Sequence, residues 1–211
     1  MTYLTELIDG YRRFRHKDWA RERERWSDLA EGQSPRIMIL SCADSRVDPA
    51  QIFDARPGEM FVVRNIAALA PPYETSRGYH GVSAALEFAV TQLGVGEILV
   101  MGHGLCGGCA AGLTGQFRDS GHGEGHFIAD WVRMLDQARD VVLARHDTLD
   151  QAAFQDMEWE AVKVSLANLR TFPWISERED GGELMLHGAH FSIAEGRLYL
   201  LDEAENKFRP A

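Results

Sequence analysis

Three residues of the sequence have the types and the spacing of a metal site. Cys42 lies in the segment 41–47 (SCADSRV), and His103 and Cys106 follow far downstream in 103–108 (HGLCGG). Zinc accepts thiolate and neutral imidazole ligands in a tetrahedral arrangement, and a catalytic site supplies three protein ligands so that water can take the fourth position. An isolated HxxC pair is a weak signal, but a second cysteine in a similar setting strengthens it. The pattern therefore predicts a catalytic zinc site.

A charged pair stands beside the first cysteine. A water-derived nucleophile needs an acceptor that orients its proton, and Asp44, two residues after Cys42, can be that acceptor. Arg46, two residues further on, can hold the carboxylate in a two-pronged contact and keep it ionised. An ordinary ion pair that braces a loop is the alternative. The flanking ligands favour a catalytic role, and the combination points to a metal-assisted hydratase.

Both parts of this site follow predicted strands. Residues 36–41 and 97–102 are short apolar runs rich in β-favouring residues, too brief for helices and bounded by polar residues or glycine. Ligands at the carboxyl ends of parallel strands share one crevice of an open α/β sheet. We therefore expect Cys42 to meet His103 and Cys106 in space.

The remaining pattern predicts a layered α/β protein. We expect a mostly parallel central sheet of four strands plus an antiparallel edge strand, flanked by helices, with an N-terminal helical arm over 1–30. A further strand covers 60–64, and 184–193 with 197–201 form a closing hairpin. Helices are predicted over 49–53, 81–93, 107–117, 127–145 and 149–171, the last opened by Thr148 and Gln151 at capping-box spacing.

Composition excludes several classes of protein. The 211 residues fit a single domain, 1–211, and a net charge of −10 disfavours binding to nucleic acid. No apolar run reaches membrane-spanning length, so no membrane association is expected. Three cysteines, two of them at ligand-type spacing, suit a reducing compartment better than a disulfide framework. A cytoplasmic enzyme is the resulting prediction.

Four segments in order resemble the β-class carbonic anhydrases, and in particular their plant-like branch. They are 42–46 (CADSR), 62–65 (VVRN), 102–108 (GHGLCGG) and 165–169 (SLANL). The resemblance runs from about the N-terminal arm to the closing strands, and the first and third segments together are highly specific. It implies one zinc ion per subunit held by Cys42, His103 and Cys106. The implied reaction is the reversible hydration of carbon dioxide to bicarbonate and a proton by zinc-bound hydroxide.

The same resemblance implies substrate contacts and an assembly. Gln33 occupies the place of a glutamine that hydrogen-bonds the substrate oxygen, Phe61 and Ile66 fall in an apolar pocket wall, and the backbone N–H of Gly107 falls where it can meet bicarbonate. Phe88 departs from the pattern, because that branch usually has tyrosine there. The family's pocket is built from two subunits, so a homodimer or a higher homo-oligomer is expected, with the arm packing on a partner subunit.

Other interpretations remain open at this stage. The same zinc site in relatives hydrolyses carbonyl sulfide or carbon disulfide, and an inactive homologue with a structural zinc is a third possibility. Cys106 and Cys109 form a CxxC pair, which would suit redox chemistry. A redox motif, however, would need neither Cys42 nor Asp44. His122 and His126 lie in a glycine-rich loop and are assigned no function.

Overall fold

A computed structural model describes residues 2–119 and 123–211. The chain divides into two compact units, Met1–Ser34 and Pro35–Ala211. The first unit is helical: α1 (Tyr3–Phe14), a π-helical turn (Arg15–Trp19) and α2 (Arg23–Glu31). The predicted N-terminal helical arm is thus confirmed as helix. The assignment of 1–211 to a single domain stays a prediction, as does the packing of the arm on a partner subunit.

The second unit is built on one sheet. Within the described ranges the sheet has six strands in the order β2-β1-β3-β4-β5-β6. The strands are β1 (Ile37–Cys42), β2 (Met60–Asn65), β3 (Glu97–His103), β4 (Met185–Ser192), β5 (Arg197–Asp202) and β6 (Lys207–Pro210). The first four are parallel, and β5 and β6 are antiparallel. The predicted fold class is confirmed, although β6 adds a second antiparallel strand that the sequence analysis did not predict.

The central strands are apolar because both faces of the sheet are covered. Met38 and Leu40 of β1 pack on one side into a core cluster that also contains Leu86 and Val162 from the helices. Ile39, between them, faces the other side and joins a smaller cluster. Strands buried on both faces lose the alternation of polar and apolar residues that marks a half-exposed strand. This is why β1 is an almost continuous apolar run.

Helices pack on the sheet and connect its parallel strands. They are α3 (Pro49–Ile52), α4 (Gly81–Glu87) continued by a π-helical turn (Phe88–Gln92), α5 (Gly107–Thr114), α6 (His126–Val132), α7 (Asp136–Arg145), α8 (Gln151–Leu169) and α9 (Pro173–Asp180). The predicted helix over 127–145 is wrong as one continuous element, since a 3₁₀ turn (Arg133–Leu135) separates α6 from α7. The helix α9 was not predicted; it begins at a proline in its first turn, a position that suits proline because no backbone donor is needed there.

The start of α8 also differs from the prediction. Asp150, not Thr148, is the N-cap residue, and its carboxylate accepts a hydrogen bond from the Ala153 amide at 3.0 Å. Both residue types are good caps. The helix packs against β3 and β4 and thus lies beneath the strand that ends in His103. This placement brings the middle of α8 next to the predicted site.

Candidate active site

Parallel pairing brings the two halves of the predicted metal site together. Strand β1 lies between β2 and β3, with Cys42 opposite Asn65 and Ser41 opposite Met101. The thiol sulfurs of Cys42 and Cys106 are 4.0 Å apart. One ligand atom from each of Cys42, His103 and Cys106 falls within 4.8 Å of the others, and all three side chains are buried. The predicted convergence of these residues is observed.

The imidazole of His103 is oriented for a ligand. Its Nδ1 lies 2.9 Å from the carbonyl oxygen of Gly104. A carbonyl only accepts, so Nδ1 carries the proton and Nε2 carries the lone pair. Nε2 is buried and has no hydrogen-bond partner among the described residues. A buried lone pair without a partner costs free energy unless something binds it, and a metal ion fits this atom.

The two cysteine ligands hold their protons when no cation is present. Hydrogen bonding to Cys106, together with burial, raises the pKa of the Cys42 thiol to about 12. The neighbouring Cys109 thiol, with burial, likewise raises the pKa of Cys106 to about 12. Two buried sulfurs so close together cannot both carry negative charge without a nearby positive ion, and a coordinated dication deprotonates a thiol outright. Two thiolates and one imidazole are a donor set that fits zinc.

Asp44 and Arg46 form the predicted charged pair. Arg46 donates from Nε to Asp44 Oδ1 at 2.9 Å and from Nη2 to Oδ2 at 2.7 Å, and its own backbone amide donates to Oδ1 at 3.0 Å. These contacts, led by the side-chain hydrogen bonds from Arg46, hold the pKa of Asp44 well below its usual range. Asp44 Oδ2 is 4.0 Å from His103 Nε2. An ionised acceptor thus stands next to the metal position.

A second arginine, not singled out in the sequence analysis, holds the loop that carries this pair. Arg64 donates to the carbonyl oxygens of Cys42 at 2.9 Å and of Asp44 at 2.6 Å, and to the carboxylate of Asp48 at 3.2 Å. Its strand position is opposite Ser41. A signal was present in the sequence, because Arg64 belongs to one of the four segments that carry the resemblance. Its partners are main-chain atoms, which composition and spacing do not reveal.

The residues predicted to contact substrate fall in different places. Ile66 lines an almost wholly apolar cavity of about 530 Å³ next to Cys42, together with Ala43, Asn65, Phe127, Ile128 and Trp131. Gly107 is the first residue of α5, directly after Cys106, and a Cβ placed there would have no atom within 4 Å. Ile66 and Gly107 therefore border the metal ligands within one subunit.

Phe61 and Phe88 lie elsewhere and contact each other, with ring centroids 6.0 Å apart. Phe61 pairs with Met38, whereas Cys42 pairs with Asn65 four positions further along both strands, a distance of about 13 Å. Gln33 belongs to the first unit. The substrate contacts assigned to these residues stay predictions, and His122 lies outside the described residues.

Two buried polar residues near the ligands were missed. Glu158 of α8 accepts a hydrogen bond from the Cys106 amide at 3.1 Å, and its other oxygen lies 3.0 Å from Nε2 of His190 in β4. His190 lies in the predicted strand 184–193, where a histidine suggests no particular function from the sequence alone. Its partner lies 32 positions away on another element, so no local pattern identifies the pair.

Comparison with known proteins identifies the family of this chain. The family model "Carbonic anhydrase" matches residues 37–198. Beta carbonic anhydrase 3 of Arabidopsis thaliana is 35% identical over 212 residues, which cover 99% of this chain and 80% of the relative. The chain belongs to the carbonic anhydrase family, and its similarity is to the β class.

Solved structures agree with this assignment. The β-carbonic anhydrase CcaA superposes with a TM-score of 0.92 at 31% identity, covering 99% of this chain and 92% of CcaA. A tetrameric β-carbonic anhydrase from the filamentous ascomycete Sordaria macrospora superposes with a TM-score of 0.83 at 27% identity, covering 95% of this chain and 97% of the other. The relation thus extends over nearly the whole chain.

Proposed function

We propose that this chain catalyses the reversible hydration of carbon dioxide to bicarbonate and a proton, with zinc held by Cys42, His103 and Cys106. The observation that carries the proposal is the juxtaposition of this ligand group with the Asp44 carboxylate, whose Oδ2 is 4.0 Å from the unpartnered Nε2 of His103. A purely structural zinc site takes a fourth protein ligand and needs no ionised acceptor beside it. The geometry favours catalysis.

Asp44 orients the attacking oxygen. Zinc held by Cys42, His103 and Cys106 would supply the nucleophile, because it would lower the pKa of a bound water toward neutrality. An ionised carboxylate only accepts hydrogen bonds. Asp44 therefore accepts a hydrogen bond from the O–H of the nucleophile. This contact leaves a lone pair of the nucleophile's oxygen directed at the substrate carbon. Arg46 serves this step by keeping Asp44 ionised and fixed in orientation.

The apolar cavity and the start of α5 suit the substrate and the product. Carbon dioxide is apolar and linear, so it can occupy the space beside Ile66 and Trp131 without a polar partner. Bicarbonate is an anion and needs donors. Gly107 is the first residue of a helix, where backbone N–H groups lack carbonyl partners within the helix and attract negative charge. The same site thus offers different surfaces to the two species.

Stopped-flow hydration of carbon dioxide on metal-analysed protein tests the proposal. We expect turnover to rise in proportion to zinc content, to disappear after chelation and to return when zinc is added back. Zinc-loaded protein without hydration activity would refute it. Release of sulfide from carbonyl sulfide or carbon disulfide, measured on the same sample, would then support the alternative hydrolase.

A homo-oligomer is the second part of the proposal. The apolar side of α1 is exposed along a stripe of residues at helical spacing, among them Leu4 (64% exposed), Leu7 (55%) and Tyr11 (57%). Such a stripe is covered in a stable protein by another surface. We propose a second copy of this chain, which agrees with the tetrameric state of the Sordaria relative.

Light scattering during gel filtration tests the assembly. We expect Leu7→Asp to shift the mass toward the monomer, because it places a charge in the stripe, and Glu6→Gln on the same helix to leave the mass unchanged. A wild-type protein that runs as a monomer would contradict the proposal.

A cytoplasmic location is the third part. Within the described ranges, every helix is too short or too polar to cross a bilayer. Cys42, Cys106 and Cys109 are buried and unpaired, which agrees with a reducing compartment. Fractionation of cells that express the tagged chain tests the assignment, and recovery from an organelle would refute it.

A further inference from the structure

The short loop between two metal ligands is held from three separate elements. After His103, the Gly104 amide donates to the Phe191 carbonyl of β4 at 2.9 Å. The Leu105 carbonyl accepts from Arg46 Nη2 at 3.1 Å, and the Cys106 amide donates to Glu158 Oε1 at 3.1 Å. Each of the three residues that follow His103 is therefore tied to a different part of the second unit.

This loop needs such restraint. Leu105 has a φ of 59°, in the left-handed region that costs free energy for a residue with a side chain. A cavity of about 640 Å³ borders Cys106 and Gly107 on the side of α8. Cys106 itself is 3% exposed and packs in a core cluster with Cys42 and Cys109. Beside the cavity, the hydrogen bond from the Cys106 amide to Glu158 restrains the backbone of this ligand.

Glu158 is itself held in place by a buried partner. Its Oε2 lies 3.0 Å from His190 Nε2, and the two side chains are 6% and 1% exposed. The imidazole is packed among aromatic rings, edge-on to Trp159 and Phe208. A buried carboxylate is costly unless both of its oxygens accept hydrogen bonds. Here one oxygen of the Glu158 carboxylate contacts His190, and the other accepts a hydrogen bond from the backbone of Cys106.

We propose that Glu158 is a positioning residue for the metal centre, which fixes Cys106 in the geometry that zinc requires, and that His190 holds Glu158 in place. The inference rests on the proposed ligand set. Neither residue touches substrate in the proposed mechanism, so the expected effect is on metal binding first and on turnover only as a consequence. Outer partners of metal ligands typically change metal affinity by about tenfold to a hundredfold when they are mutated.

Glu158→Gln is the main test, with Glu160→Gln as the matched control. Glutamine keeps the size of the side chain but presents an uncharged amide to the Cys106 amide and to His190. Glu160 lies on the same helix and contacts Arg145 and Lys163 instead. We expect Glu158→Gln to weaken zinc binding about tenfold in a chelator competition and to speed zinc release. The control is expected to bind zinc as the wild type does.

A cobalt spectrum separates positioning from loss of stability. Cobalt substituted for zinc shows thiolate charge-transfer and ligand-field bands that depend on the geometry of the sulfur ligands. Glu158→Gln is expected to shift these bands, whereas a variant that is merely less stable keeps them while its unfolding temperature falls. Wild-type zinc affinity together with a wild-type cobalt spectrum would overturn the proposal.

A second variant covers the case in which Glu158→Gln does not fold. His190→Phe keeps the aromatic packing beside Trp159 and removes the hydrogen bond to Glu158. A smaller loss of zinc affinity, with a band shift in the same direction, is expected, and unchanged values would overturn the proposal. Failure of the ligand set is a separate outcome, because it would show as a wild-type protein that binds no zinc, or as a Cys42→Ser variant that binds zinc normally.

Discussion

Two carboxylates flank the metal ligands, and their surroundings differ. Asp44 is held by Arg46, whose side chain is 46% exposed, and its Oδ2 is 4.0 Å from a ligand nitrogen. Glu158 is held by a buried histidine and reaches a ligand only through the Cys106 backbone. The Asp44 side chain is 18% exposed and that of Glu158 is 6% exposed. By this burial of the carboxylates we call the two sides of the metal site the accessible side and the enclosed side.

The difference separates chemistry from support. A group that exchanges hydrogen bonds with the reacting molecules has to be reachable from solvent and fixed in its charge state. Asp44 is 18% exposed, and its contacts with Arg46 keep it ionised. A group that only holds a ligand works better when water is excluded, because a hydrogen bond in a low-dielectric interior is stronger. We therefore expect mutations at Asp44 to affect turnover at constant zinc content, and mutations at Glu158 to affect zinc content first.

The largest expected effect in this comparison is that of Asp44→Asn. Asparagine keeps the shape but replaces one acceptor oxygen by a donor, so the nucleophile loses its orientation. We expect hydration to fall about 10²- to 10⁴-fold, the usual contribution of a group that handles a proton in the reaction. Zinc content, measured by elemental analysis, is expected to stay at the wild-type level.

Asp54→Asn is the control for this substitution. Asp54 is exposed and has a φ of 49°, a conformation that asparagine also tolerates. We expect its activity to equal that of the wild type. If Asp44→Asn also lost its zinc, the distinction between the two carboxylates would be wrong.

The next effect concerns Gly108, which lies against Ile66 and Ala67. A Cβ on Gly108 would lie 2.6 Å from Ile66 Cγ2 and 3.0 Å from the Ala67 side chain. Ala67 has a positive φ and stands in a strained segment, so it has little room to move. We expect Gly108→Ala to lower the free energy of unfolding by about 1–3 kcal/mol, the usual cost of overpacking.

Gly107→Ala is the matched substitution one residue earlier. Its Cβ would meet no atom within 4 Å, and the helical position favours alanine over glycine. Urea denaturation of both apo variants measures the difference. Equal stability of the two variants would show that Ile66 and Ala67 move aside readily, and the expected cost of overpacking at Gly108 would be wrong.

Sequence patterns predicted the parts of this molecule that depend on local signals. The ligand residues follow buried strands. Because the carboxyl ends of parallel strands lie at the same edge of the sheet, the sequence was sufficient to predict that Cys42 and His103 lie close together. The strand β6 was missed because it has only four residues and ends in proline, which leaves little alternation to detect. The break between α6 and α7 carries neither proline nor glycine, so the periodic pattern continues across it.

The enclosed side of the site could not be predicted for another reason. The pairing of Glu158 with His190 depends on how α8 lies across β4, and each residue alone suits an ordinary helix or strand. The contact of Glu158 with the Cys106 backbone leaves no trace in residue types, because any residue at position 106 has the same N–H. The charged pair on the accessible side, by contrast, is two positions apart in one loop and was predicted from that spacing.

The smallest effect is expected for Arg46→Lys, a substitution that keeps the positive charge of the side chain. Lysine cannot reproduce the two-pronged contact with Asp44 or reach the Leu105 carbonyl at the same time. Loss of one charge-assisted hydrogen bond, about 1.5 kcal/mol, corresponds to a tenfold lower rate. Stopped-flow hydration at constant zinc content measures it.

The pH dependence of that loss distinguishes geometry from ionisation. Hydrogen bonds from Arg46 lower the pKa of Asp44, so the weaker contact in Arg46→Lys raises this pKa toward its ordinary value of about 3.9. The carboxylate is then still ionised above about pH 5 in both proteins, and the stabilisation from the depressed pKa disappears only as pH falls through the folded value. We therefore expect the hydration rates of the wild type and of Arg46→Lys to differ by a constant factor from pH 6 to pH 9. Isotope exchange between carbon dioxide and water measures both rates. A factor that grows steadily as pH falls from 9 to 6 would show that Arg46 acts by setting the charge of Asp44 rather than its orientation, and the accessible carboxylate would then depend on its arginine for ionisation even at neutral pH.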